Sequence, residues 1–250
     1  MEIVVSGLVS SALTGTYPAA QRALDQMFSS LPTITTTTFK VQEHYVSRPS
    51  LEKRILDIYE SSFVYGYDSF HIVAGAKGAG KSTVVEQNLY QMPGVMRVGV
   101  SEADTEKSVL CKILLAGGEH VEENINLDLD VLQNVFLDAA EQSSGRRITV
   151  VLEVERGTDA NRILYMVQSS AKKLARFANV IVVLSEANAA LMFGDDRRQK
   201  FIWVDGMTPE EASMYAKKVF PAIADHDLAL FFDKVGILDQ SLKTAHPYKP

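Results

Sequence analysis

From Glu43 onward the chain alternates between short apolar runs rich in β-branched residues and longer segments whose apolar positions recur every three to four residues. Phe70-His71-Ile72-Val73-Ala74 reads as a buried strand, and Val84, Val85 and Leu89 then give a helix its apolar face. A second strand follows near Val95–Val100, with helical spacing over Thr105–Leu115 and again over Asp128–Glu141. The third strand lies within Arg146–Glu155, and a helix covers Ala160–Phe177. "NVIVVLS", Asn179–Ser185, is the most continuous apolar strand, and "KFIWVDG", Lys200–Gly206, is the last. Strands alternating with helices predict an α/β fold with a mostly parallel sheet covered on both faces. Trp203, inside the last strand, is expected in the core rather than as a ligand platform.

The flanks read differently. "MEIVVSGLVSSALTG" is mildly apolar, but Glu2 is its only charge before Arg22, and Ser6, Gly7, Ser10 and Ser11 interrupt it. It has neither the basic start of a secretory signal nor the length of a membrane span. Pro18–Phe28 has a helical pattern, and "SSLPTITTTTFK" reads as a linker. Residues 1–42 are therefore expected to be an extension and linker, 43–206 the core, and 207–250 a helical lid. Thr208 and Glu211 form a capping-box pattern with Pro209 at the first helical position. "DHDLALFFDKVG" offers a second helix ending at Gly236, and the chain stops soon after a third begins.

Between the first strand and its helix stands "GAKGAGKST", Gly75–Thr83, which fits G-x-x-x-x-G-K-[ST]. Gly75, Gly78 and Gly80 permit backbone dihedrals that a Cβ would forbid, so the N–H groups of Ala76, Lys77, Ala79 and their neighbours can turn around phosphate oxygens. Lys81 would reach the β- and γ-phosphates, and the Ser82 hydroxyl would ligate Mg²⁺. The helix that starts there points its positive end at the same anion. This is the pattern of a phosphate-binding loop.

Such a loop needs a carboxylate at a neighbouring strand end to hold the magnesium shell. In "ITVVLEVE", Glu153 stands where that carboxylate belongs, and Val154 occupies the usual place of a water-orienting Glu. Side chains alternate along a strand, so Glu155 shares the Glu153 face and is the candidate to orient the attacking water. A solvated strand-end residue is its other reading. Ser185, at the end of its strand, can sit between the magnesium carboxylate and the γ-phosphate or cap the next helix. Arg197 and Arg198 can touch the γ-phosphate of their own chain, act as a finger on a neighbouring subunit, or form a solvated turn.

Composition narrows the alternatives. At 250 residues, 46% hydrophobic and 22% charged with a net charge of −6, the chain has ordinary globular composition and no basic excess for nucleic acid. The single cysteine, Cys111, cannot form an internal disulfide, which suits an intracellular, reducing compartment, cytoplasmic or nuclear. His44, His71, His120, His226 and His246 stand at no metal-ligand spacing.

"HYVSRPSLEKRI", the glycine-rich loop, "VVLEVE", "VIVVLS" and "VDGMTPEEASMYAKKVF" come in the order found in AAA+-like and STAND-type P-loop ATPases. The chain most resembles the P-loop domains of the Crinkler-type effector and retrotransposon-hot-spot families, over about residues 43–242. The resemblance implies a three-layer P-loop NTPase sandwich with a five-stranded sheet in the order 5-1-4-3-2 and the start of a helical lid. It places Tyr45, Val46 and Arg48 in an element that cradles adenine. It leaves a protein partner, a downstream effector domain and a homo-oligomer open. Val154 after Glu153 departs from the common pattern, so two functions stand side by side: an ATPase coupling hydrolysis to conformational change, and a nucleotide-dependent switch with little or no hydrolysis.

Overall fold

The computed structural model describes residues 44–61, 68–89, 92–116, 129–142, 146–154, 161–185, 189–190, 193 and 197–228. The expected helix over Pro18–Phe28, the threonine-rich linker and residues 229–250 lie outside them. In chain order the elements are α1 (Pro49–Tyr59), β1 (Phe70–Gly75), α2 (Lys81–Leu89), β2 (Val95–Val100), α3 (Glu106–Ala116), α4 (Leu129–Gln142), β3 (Thr149–Val154), α5 (Asn161–Leu174), β4 (Asn179–Val183), β5 (Gln199–Val204) and α6 (Pro209–Val219). No described helix is long and apolar enough to cross a membrane.

All five described strands run parallel, in the order β2-β3-β4-β1-β5. That is the expected order read from the other edge. One row of paired residues, Ile202, Val73, Val183, Glu153 and Gly99, crosses the whole sheet. Two apolar clusters lie on its two faces. Phe70, Ile72, Val150, Leu152, Val180 and Val182 pack against α3, α4 and α5, while Val73, Val151, Ile181 and Val183 pack against α1 and α2. Two covered faces explain why the central strand β4 is apolar at both parities, since every position of it is buried.

The differences from expectation come at the edges. β5 turns Ile202 and Val204 inward, but Phe201 and Trp203 fall on the alternate face of an edge strand and stay 40% and 46% exposed. Trp203 is therefore not a core residue. α5 ends at Leu174 rather than Phe177, because the Phe177 and Ala178 amides both turn back to the Leu174 carbonyl (3.0 and 2.8 Å). Phe177 is still buried, in the turn that feeds β4. The second expected lid helix is described only at its start, Asp225–Leu228.

Candidate functional site

β1 ends at Gly75, whose backbone passes so close to β5 that a Cβ there would lie 2.1 Å from the Val204 carbonyl oxygen. Only glycine fits. The chain then bends through Ala76, Lys77 and Gly78, with Gly80 at φ 88° in the left-handed region, before the Val84 amide closes the first bond of α2 on the Gly80 carbonyl (2.9 Å). Lys77 is exposed, Ala79 buried, and Thr83 half-buried on the first turn of the helix. α2 is held against the sheet by Val84, Val85 and Leu89. Its first residue, Lys81, is buried and folds back over the loop, donating to the carbonyls of Gly75 (3.0 Å) and Ala76 (2.8 Å).

The loop meets the strand-end carboxylate directly. Ser82 Oγ donates to Glu153 Oε1 at 2.6 Å. Glu153 belongs to β3, two strands from β1, and shares the face of Val151 against which α2 packs. Val154 points to the opposite face and is buried there with Leu152. The residue that follows, Glu155, lies outside the described residues. Ser185 is half-buried just beyond the carboxyl end of β4, between the ends of β1 and β3, and the Leu184 amide bonds the Val73 carbonyl (3.1 Å) to fix that corner.

Two charged residues absent from the sequence reading complete this corner. Arg97 Nε donates to Glu153 Oε2 at 2.8 Å, its terminal nitrogen pairs with the same oxygen, and its other terminal nitrogen meets Glu86 Oε1 at 2.6 Å. Glu86 stands one helical turn after Ser82 on α2, and Arg97 shares the inward parity of Val95 on β2. The signal was present in "VMRVGV" as one charge on the buried alternation, but nothing in the sequence named its partner.

The segment ahead of α1 closes another side. The Tyr45 hydroxyl donates to Glu52 Oε1 (2.7 Å), the Arg48 amide donates to the same oxygen (2.7 Å), and Ser47 Oγ donates to Oε2 (3.0 Å). Burial first, then the Glu52 carboxylate, pushes the Tyr45 phenol well above its ordinary value. Burial works to raise Glu52, but its three hydrogen bonds outweigh it and hold that carboxyl below its ordinary value. Val46 is buried. The Arg48 guanidinium reaches the carbonyls of Ala79 (3.3 Å), Asp205 (3.1 Å) and Gly206 (3.2 Å) and pairs with Glu211 at 3.4 Å.

Arg198 is not brought to the loop. It precedes β5 at the amino end of the sheet, where its carbonyl accepts from the Phe70 amide (2.9 Å). The length of β1, roughly 17 Å at strand rise, separates that end from Gly75. The direction of β5 thus leaves Arg198 about one strand length from the glycine-rich loop of its own chain.

The residues present fit a phosphate ligand and a hard cation: a glycine-rich turn at a helix start, a lysine, and a hydroxyl paired with a carboxylate. No protein-family model matches the chain. No curated protein matches it either. Among solved structures, the chain is similar to a Signal Transduction ATPase with Numerous Domains (STAND) protein with a tetratricopeptide repeat sensor from Pyrococcus horikoshii. The identity is 14% with a TM-score of 0.42, covering 82% of this chain and 29% of that one. This chain thus spans less than a third of that protein's length, and a likeness so distant carries no argument about the site.

Proposed function

We propose that the chain binds ATP with Mg²⁺ through Gly75–Thr83 and hydrolyses it to drive a conformational change, as a STAND-type P-loop ATPase related to the Crinkler-type effector and retrotransposon-hot-spot families. The observation that carries this reading is the 2.6 Å bond between Ser82 and Glu153. It joins the hydroxyl of the loop to the carboxylate of a strand two places away, with β4 between them. An intervening strand supports the AAA+-like and STAND branch over the kinase–GTPase branch, in which the carboxylate strand adjoins the loop strand.

Ser82 and Glu153 are the residues that would hold Mg²⁺, whose chemistry is to neutralise charge on the β- and γ-phosphate oxygens. Lys81 already lies inside the loop, and its release from the Gly75 and Ala76 carbonyls would let it meet the phosphates. Val154 is buried on the wrong face to orient a water. Glu155 is the proposed water-orienting carboxylate, Ser185 the proposed polar contact between Glu153 and the γ-phosphate, and Tyr45, Val46 and Arg48 the proposed adenine cradle. Arg198 is proposed only as a finger toward a second subunit. A protein partner or further domain would receive the conformational change.

One observation favours the slower switch reading. Arg97 sits on the Glu153 oxygen that Ser82 leaves open, so a divalent cation must compete with a guanidinium there. Two measurements separate the readings. Lys81→Ala should lower ATP affinity by about tenfold or more while leaving the fold intact, read by calorimetry and circular dichroism. Unchanged affinity in a folded variant overturns the loop assignment. Steady-state phosphate release should fall about ten- to ten-thousand-fold in Glu155→Gln with ATP binding kept. No release from the unmodified chain leaves the switch as the function.

A further inference from the structure

At the amino end of the sheet, opposite the glycine-rich loop, a cavity of about 510 Å³ opens beneath the second half of α1. Its walls come from four strands or strand entrances and one helix: Arg54 on α1, His71 on β1, Arg147 ahead of β3, Asn179 on β4 and Lys200 on β5. Three cations converge there. Asp57 is the carboxylate among the described lining residues, and Lys53 engages it at 2.8 Å.

The cations are positioned in advance. Arg54 is anchored over the sheet edge by a bond to the Phe201 carbonyl (2.7 Å), and Arg147, only 7% exposed, by one to the Arg176 carbonyl (3.0 Å). Burial lowers the Arg147 guanidinium from its ordinary value, against the pull of Asp68. The His71 imidazole is pushed down to about 4, first by burial and then by Lys200 and Arg54. His71 Nδ1 is buried with no hydrogen-bond partner. A buried nitrogen without a hydrogen-bond partner is costly, and a bound anion that accepts from it relieves that cost.

We propose that this cavity binds a small molecule bearing a phosphate group, at a site separate from Gly75–Thr83. Planar guanidinium forks and an ammonium arriving from different elements match a compact oxyanion with several acceptor oxygens. The volume lies in the range of small-molecule sites and leaves room beyond the phosphate for the rest of the ligand.

The test is a titration of the full chain with inorganic pyrophosphate, followed at the His71 imidazole by NMR, with sodium chloride at matched ionic strength as control. A saturable His71 response is expected, with its pKa rising because the anion favours the protonated ring. Lys200 and Arg54 are exposed, so the Arg54→Gln, Lys200→Gln double variant should fold and bind about tenfold more weakly. Lys81→Ala, which disables the glycine-rich loop, should leave the His71 response in place. The proposal is overturned by no saturable response at millimolar pyrophosphate, by an equal response to chloride, by an equal affinity in the double variant, or by a response that vanishes in Lys81→Ala.

Discussion

Arg97 illustrates what one side chain decides in this molecule. It stands between Glu86 on α2 and Glu153 on β3, all three largely withdrawn from water, and pairs with both carboxylates. Removing the cation takes away the counter-charge that both carboxylates share, whereas removing one carboxylate leaves a pair. Arg97→Met should therefore cost about 2–3 kcal/mol, and Glu86→Gln about 1 kcal/mol or less, in urea-unfolding midpoints. Equal costs would mean that each ion pair acts alone. The same residue shows where sequence reading stops. The meeting of Ser82 with Glu153 was legible because the proposed phosphate loop calls for a hydroxyl and a strand-end carboxylate at those places. Arg97 was not, because a charge on a buried strand position announces a partner without saying which helix supplies it.

Among the elements, the corner from β2 into α3 is fixed by Asp104. Its carboxylate accepts from the Ser101 amide (2.7 Å), Ser108 Oγ (2.7 Å) and Lys112 Nζ (2.7 Å). Burial would raise this carboxyl, but Lys112, the Ser101 amide and the serine hydroxyls outweigh it and bring it from 3.8 down to about 2. A depressed carboxyl stabilises the fold above its unfolded value and loses that contribution as pH falls through the folded one. The difference in thermal midpoint between the unmodified chain and Asp104→Asn should thus be full above about pH 4 and shrink toward pH 2, about 1–2 kcal/mol at its largest. A difference independent of pH would show that the carboxylate charge is not what holds the corner. Among the described residues element identity was legible, since apolar runs and helical spacing mark a strand or helix without reference to partners. Direction was the harder quantity. Arg198 stood near the last strand in sequence, but parallel pairing of β5 with β1 puts the start of β5 at the amino end of the sheet and the glycine-rich loop at the carboxyl end. Trp203 failed for a related reason, since an edge strand has one face that the described helices leave open.

At the scale of the whole molecule, Arg48 connects the parts that a nucleotide cycle would have to move together. Its guanidinium bonds the loop at Ala79 and the end of β5 at Asp205 and Gly206, and it pairs with Glu211 in the first turn of α6. Glu211 also accepts from the Thr208 amide, while Thr208 Oγ1 accepts from the Glu211 amide, so the same carboxylate caps the helix and receives Arg48. None of the α6 residues is buried. Among the described residues, Arg48–Glu211 and the bond from Lys218 to the Tyr45 carbonyl tie it to the core. Such an element opens at low cost, and its opening is read by amide exchange. Arg48→Ala should speed exchange of the Ala212–Val219 amides by about tenfold, the equivalent of one lost charge-assisted bond, while β1 and β4 keep their protection. ATP should slow exchange in α6 of the unmodified chain and do so far less in Arg48→Ala, because the variant has lost the contact that tells α6 the state of the loop. An α6 equally responsive to ATP in both proteins would mean that the nucleotide signal reaches the helix by another route.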